Sequence, residues 1–326
     1  MAAAGAKAAP LTCPGHTRPV VHLEYSEKPE DGTFLMLSSC KDGNPMLRDW
    51  LGDWVGTFLG HKGAVWSAKL SGGDAARAAT GSADFSAKVW DTYTGDCLQT
   101  YMHNHIVRSV AIDEPGERLV TGGHEKNLRL FDLGKLGGDG GVADATTFQA
   151  RAGRSTSHDA PIRSVVLGRH SPQTLVTATD EKELQWWDMR TLTPTHTLSF
   201  DVPIASMDRC AGAFGELVSV TAGHDAFFID LATREIVRKH TLDISPSSVS
   251  LDPVHGNKFA AGCIGDEWVR VYDYESAHEV DVHKGHHGPV HCVSYSPDSE
   301  IIASGSEDGT IRLWQTNPSK KYGLWS

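Results

Sequence analysis

Asp, His and Ser are the residues of a hydrolytic triad, and this 326-residue chain groups them more than once. Ser304, Asp308 and an upstream His286 form one group; Thr80, Asp84 and His61 form another. A triad needs one set converging on one substrate. Here a Ser or Thr precedes Asp by four residues in both groups, and a Trp follows the Asp by six, at Trp90 and Trp314. Recurrence at fixed offsets marks a structural unit, so no catalytic residue is assigned and the chain is read as a non-enzyme. The densest histidine cluster is His283, His286, His287 and His291. A metal would need three or four of them converging within an ordered shell. His286 falls on the repeated position and His291 on the following strand, so no metal is expected. The run Gly137-Gly138-Asp139-Gly140-Gly141 lacks the Gly-Lys-Ser/Thr of a phosphate loop. The six cysteines contain no Cys-x-x-Cys pair, which argues against a zinc ribbon and for reduced thiols. No cofactor is expected.

The elements that must position these residues are short strands. Weaker copies keep the same offset: Asp42 to Arg48, Glu125 to Phe131, Glu181 to Trp187 and Asp266 to Tyr272. A shorter copy runs from Thr221 through Asp225 to Ile229. The anchors at 48, 90, 131, 187, 229, 272 and 314 are spaced 42, 41, 56, 42, 43 and 42 residues. That period is the signature of WD repeats, at ~40–45 residues each. Within a unit, Ile301-Ile302-Ala303-Ser304 and Thr310-Ile311-Arg312-Leu313-Trp314 are β-prone runs flanking a Glu-Asp-Gly turn. The fold expected is all-β, a seven-bladed β-propeller. The resemblance to WD repeats implies a buried hydrogen-bond tetrad of His, Ser/Thr, Asp and Trp. Full sets are His61, Thr80, Asp84, Trp90 and His286, Ser304, Asp308, Trp314. The first unit has His16, Ser38 and Asp42 but Arg48 in place of Trp. His103 and His158 hold the His offset in units three and four, while the fifth and sixth lack the His.

The seventh unit stops after three strands, and only a fourth-strand segment, Pro10-Leu11-Thr12-Cys13, precedes the first unit. The N-terminal strand is therefore expected to complete the last blade, which removes free sheet edges. Residues 1–9 are read as a disordered extension, 10–316 as one propeller and 317–326 as a tail. The long 56-residue interval places a flexible surface insertion at 134–157. With 30 Lys+Arg against 41 Asp+Glu the formal charge is −11, which disfavours a general phosphate-backbone binder. No direct nucleic-acid contact is expected. No apolar run approaches the roughly 18 residues of a membrane span, and the Ala-rich start lacks a signal peptide's apolar core. A cytoplasmic and nuclear protein is expected.

The position just after the first apolar strand residue carries Val21, Trp66, Arg108, Arg163 and His291, with Lys41 and His124 in nearby turns. This mildly basic, aromatic rim suits an acidic protein segment, since Trp and Arg are enriched in interface hot spots.

Longer stretches carry a more specific resemblance. They are Gly15-His16-Thr17-Arg18-Pro19-Val20-Val21, the Lys41-Asp42-Gly43-Asn44-Pro45-Met46-Leu47-Arg48 turn, and the run from Gly52 through Gly60-His61 to Trp66. Ala83 to Trp90, Gly285 to Cys292 and the ending Tyr322-Gly323-Leu324-Trp325 complete the set. Together they resemble the serine/threonine kinase receptor-associated (Unr-interacting) protein family, in a form close to its plant or algal members. The resemblance implies a non-catalytic scaffold that associates with the SMN complex through Gemin subunits, with the RNA-binding protein Unr, and with receptor-kinase signalling components. The expected role is ribonucleoprotein assembly, mRNA processing, splicing or translation control. The alternative is a propeller subunit of a translation initiation complex, as in the neighbouring family of translation initiation factor three, or another WD-repeat adaptor in signalling. The sequence departs from the family in the glycine-rich insertion, the divergent fifth unit and the lack of an acidic tail after Trp325.

Overall fold

β-branched and aromatic runs bounded by turn residues pack into seven four-stranded antiparallel sheets. The computed structural model describes residues 9–317 apart from 30–31, 136–145, 149–159, 170, 172, 192, 211 and 213–215. Among the described residues the only helical element is a 3-10 turn, Leu133–Lys135. The innermost strands are Val20–Tyr25, Val65–Leu70, Val107–Ile112, Ile162–Leu167, Ile204–Arg209, Pro246–Leu251 and Val290–Tyr295. Each packs against the inner strand on either side, and the seventh packs against the first, so the blades close a ring. The protein is a seven-bladed propeller.

Leu11–Cys13 pairs antiparallel with Ile311–Gln315 and is the outer strand of blade seven. The seven anchors occupy one ladder position, each opposite the second residue of the preceding strand, as in Ala78 with Trp90, Val218 with Ile229 and Ile302 with Trp314. Apolar residues on the facing surfaces of neighbouring blades form the core. Val176 and Trp186 of blade four meet Ile204 and Val218 of blade five, and Cys13 and Ile311 of blade seven meet Val20 and Met36 of blade one.

One expectation needs correction, and the short fifth unit finds its reason. Within the 134–157 stretch, read as a surface insertion, Thr146–Phe148 is the outer strand of blade three and pairs with Leu128, Arg129 and Leu130. The blade needs a fourth strand, so the extra length falls on both sides of it. Its other described residues, Gly134 and Lys135, lie in the 3-10 turn. The fifth unit is short because Ala222 pairs directly with Asp225, leaving only Gly223 and His224 in the turn. Gly223 takes φ 61°, which glycine adopts without a Cβ penalty. His158 lies outside the described residues, as does nearly all of the two terminal segments.

Candidate functional site

The tetrads set the scaffold on which the site stands. The ring of His61 lies 2.8 Å from Asp84 through Nδ1 and 2.7 Å from the Thr80 hydroxyl through Nε2. Trp90 Nε1 donates to that hydroxyl at 2.8 Å. In blade seven His286 is 3.0 Å from Asp308 and 2.7 Å from Ser304, and Trp314 donates to Ser304 at 2.8 Å. One direction of donation satisfies every member. Nδ1–H gives to the carboxylate, the hydroxyl gives to Nε2, and the indole gives to the hydroxyl. Burial opposes the charge on Asp84 and Asp308. Hydrogen bonds from His61 and Ser86, and from the His287 and Thr310 amides, overcome it and hold both carboxyls well below their usual value. Burial also lowers the affinity of His286 for a second proton. Such closed networks fix turns; they leave no nucleophile facing open space.

Blade one shows why His16, Cys40 and Asp42, with ligand atoms within 4.8 Å of one another, are not read as a metal centre. Cys40 stands where blades two and seven have Ser82 and Ser306. All three donate to a backbone carbonyl of the incoming loop and accept the amide of the tetrad Asp. Cys40 is a structural substitute for serine, and burial pushes its thiol up to about 12. Arg48, in the Trp position, reaches the carbonyls of Gly52 and Pro14 instead of a tetrad hydroxyl. In blade three Arg129 and the Asn104 amide hold Glu125, and burial with the Arg129 charge brings His103 down to about 4. In blade four Trp187 still donates to Thr177 at 3.1 Å while Glu181 is exposed. The cluster His283, His286, His287 and His291 is spread over four tasks. His283 stacks on Trp314, His286 joins the tetrad, the His287 amide binds Asp308, and His291 pairs with Glu307 at 2.6 Å.

The rim residues are placed by a backbone irregularity repeated in every blade. Each inner strand has a β-bulge straddling its second residue: Val20/His22, Val65/Ser67, Val107/Ser109, Ile162/Ser164, Ile204/Ser206, Pro246/Ser248 and Val290/Cys292. The residue between is left out of the ladder, and a bulge re-aims its side chain. Those residues are Val21, Trp66, Arg108, Arg163, Ala205, Ser247 and His291, and all of them line one cavity of about 320 Å³. Lys41 lines it as well. His124 does not line it; it stacks on His105 at 5.3 Å, and burial together with His105 and Arg108 keeps its proton affinity low. Trp268 also stays off the cavity, with Lys284 Nζ 3.5 Å above its ring.

The guanidinium of Arg108 lies 4.0 Å over the Trp66 ring and the Lys41 ammonium 5.8 Å from it, both within cation–π range. The Trp66 indole N–H is buried and finds no acceptor among the described residues. Burial, then the neighbouring Arg163 charge, pulls Arg108 down to about 10. Arg163 has Asp180 at 3.4 Å, and Glu307 sits 3.8 Å from Lys41 and 2.6 Å from His291.

Two groups below the rim escaped the sequence reading. Serines one position further along four of the inner strands stitch blades two to three, three to four, four to five and six to seven. Ser67 and Ser109 accept the amides of Val110 and Val165, Ser164 donates to the Met207 carbonyl, and Ser248 accepts the Val293 amide. The run Val-Trp-Ser, Val-Arg-Ser, Ile-Arg-Ser carried that signal at one fixed offset. Deeper, Lys69 of blade two spans the channel between Glu24 of blade one, at 3.4 Å, and Asp208 of blade five, at 3.6 Å. His22 lies 3.4 Å from the same Asp208. Burial opposes the Asp208 charge, but His22 and Lys69 outweigh it and bring the carboxyl to about 2. No local spacing could have announced this cluster, because its members come from three blades.

Comparisons agree with the architecture. The WD domain, G-beta repeat family matches residues 52–91, 95–132 and 278–315. The chain is similar to serine-threonine kinase receptor-associated protein of Rattus norvegicus, at 43% identity over 97% of this chain and 85% of that protein. It is similar to the Dictyostelium discoideum protein of the same name at 38%, over 94% and 98% of the two chains. It is also similar, at 24% over 93% and 95%, to eukaryotic translation initiation factor 3 subunit I of Culex quinquefasciatus.

Proposed function

The chain belongs to the serine-threonine kinase receptor-associated protein family, and on that premise we propose that it is a non-catalytic scaffold whose channel mouth captures an acidic segment of a partner protein. The assembly it serves is a ribonucleoprotein complex of the SMN type, in mRNA processing, splicing or translation control, and it works in the cytoplasm and nucleus. Partners are other proteins, including serine-threonine kinase receptors as the relatives' name states; no cofactor, membrane or direct nucleic-acid contact enters. The observation that carries this reading is the convergence of Trp66, Arg108, Arg163, Lys41 and His291 on one cavity. Rigid aromatic and guanidinium groups are the side chains from which interface hot spots are built. The identity of 43% against 24% favours this assembly over a translation initiation complex.

The test is quantitative affinity purification of wild type against the Trp66→Ala/Arg163→Ala double variant at two salt concentrations, read by mass spectrometry. Partner recovery should fall severalfold in the variant with little change in melting temperature. It should also fall with salt in wild type, because rim charges are screened over a Debye length of ~8 Å at physiological ionic strength. Unchanged recovery by a folded double variant would move the binding surface off the mouth. Recovery of initiation-factor subunits alone would favour the second assembly.

A further inference from the structure

The charges around the mouth are not evenly settled. On the side of blades one and seven, Glu307 answers both Lys41 and His291. On the side of blades two to four, Arg108 and Arg163 come from adjacent blades and repel each other, and among the described residues the one carboxylate close to either is Asp180, 3.4 Å from Arg163. Arg108 has no acidic partner within ion-pair distance among the described residues. In a chain of net charge −11 a half-buried pair of guanidiniums that shares a single carboxylate is costly. It is also organised in advance, since the Trp66 ring holds the Arg108 guanidinium 4.0 Å from its centroid before any ligand arrives.

We propose that Arg108 and Arg163, with Trp66 as the backing wall, form a site for a dianionic oxyanion, the phosphate of a phosphoserine or phosphothreonine in the captured segment. This rests on the scaffold reading above and names the chemistry that the mouth selects. A carboxylate carries one charge and two acceptor oxygens, which suit one guanidinium fork rather than two at once. A phosphate carries nearly two charges at neutral pH and three acceptor oxygens, enough to bond both at once. The cavity of about 320 Å³ accommodates such a group with the side chain that bears it. Partner capture would then be switched by a kinase acting on the partner, with Asp180 released from Arg163 as the phosphate enters.

The experiment uses three amidated five-residue peptides with two glutamates on each side of a central phosphoserine, serine or glutamate. Their binding to the full chain is measured by fluorescence anisotropy, with inorganic phosphate as competitor. The phosphoserine peptide should bind at least tenfold more tightly than the glutamate peptide. Arg108→Gln and Arg163→Gln should each cut that preference to within twofold while the melting temperature holds. Inorganic phosphate should compete only at concentrations far above the peptide's, which separates a peptide-borne phosphate from a site for free phosphate. Equal affinity for the phosphoserine and glutamate peptides would overturn the proposal, as would a preference that survives Arg108→Gln. Competition by phosphate as effective as by the peptide would also overturn it, leaving a free-anion site. If the peptides show no phosphate preference but Trp66→Ala/Arg163→Ala still loses partners, the scaffold reading stands and the phosphate site alone fails. The converse result, phosphate preference with intact partner recovery, sinks the scaffold's use of this mouth.

Discussion

His, Ser/Thr, Asp and Trp act here as a closed hydrogen-bond circuit, and the cost of breaking it follows from where its members lie. His286 and Ser304 are buried, so removing the Asp308 carboxylate strands the His286 N–H and the His287 and Thr310 amides. Asp308→Ala should therefore destabilise the protein by roughly 2–4 kcal/mol in chemical denaturation. A loss below about 0.5 kcal/mol would contradict the circuit. The same logic separates a lookalike from a site. Cys40 with His16 and Asp42 has metal-ligand composition, yet each atom makes the hydrogen bond that its equivalent makes in blades two and seven.

At the scale of the strand, the bulge and the seam matter most. The bulge takes the second residue of every inner strand out of the ladder, so a short run such as Val65-Trp66-Ser67 serves three purposes: core, mouth and blade-to-blade stitch. The seam joins blades seven and one. Gly52, in the last turn of blade one, has φ +89° and approaches the closing strand so nearly that a Cβ there would lie 2.8 Å from Leu313 and 2.9 Å from Cys13. Gly52→Ala should cost about 1–3 kcal/mol through this overpacking and the positive φ, read as a lowered urea midpoint. Gly56→Ala, where a Cβ would meet nothing within 4 Å, is the control and should change the midpoint little.

At the scale of the whole molecule, ions tie opposite walls of the channel together. Lys69 joins Glu24 to Asp208, and on the other side of the channel from the mouth Arg169 bridges Glu27 and Glu114 at 2.7 and 2.5 Å. Lys69→Met leaves two carboxylates facing each other and should destabilise by roughly 3 kcal/mol. The pH dependence has a definite sign. Asp208 binds its proton less readily folded than unfolded, so its contribution is present above the unfolded value of ~3.9 and is lost as pH falls toward about 2. Denaturation midpoints should fall more steeply between pH 5 and 3 in wild type than in Asp208→Asn. Parallel pH profiles would show that the Asp208 carboxylate takes no part in holding the ring.

Periodicity along the chain was enough to determine the blade number, the anchor positions, the closing strand and five first-strand residues of the mouth, while His124 was misplaced there and Ala205 and Ser247 went unread. Each of these repeats at a near-constant interval, and a repeat that cannot bury its faces alone must stack beside its neighbours. His61, Asp84 and Trp90 were legible for that reason, as were Trp66, Arg108 and Arg163 as members of one ring. What is not periodic could not be read. The outer strand Thr146–Phe148 lay hidden in an irregular interval, and its place follows only from the edge left open by blade three. The Glu24–Lys69–Asp208 cluster joins side chains of three blades, and the uneven pairing at the mouth arises where neighbouring blades meet, Arg108 beside Arg163 and Glu307 beside Lys41. Closing the ring sets those distances, and Coulomb interactions depend on distance in space rather than along the chain.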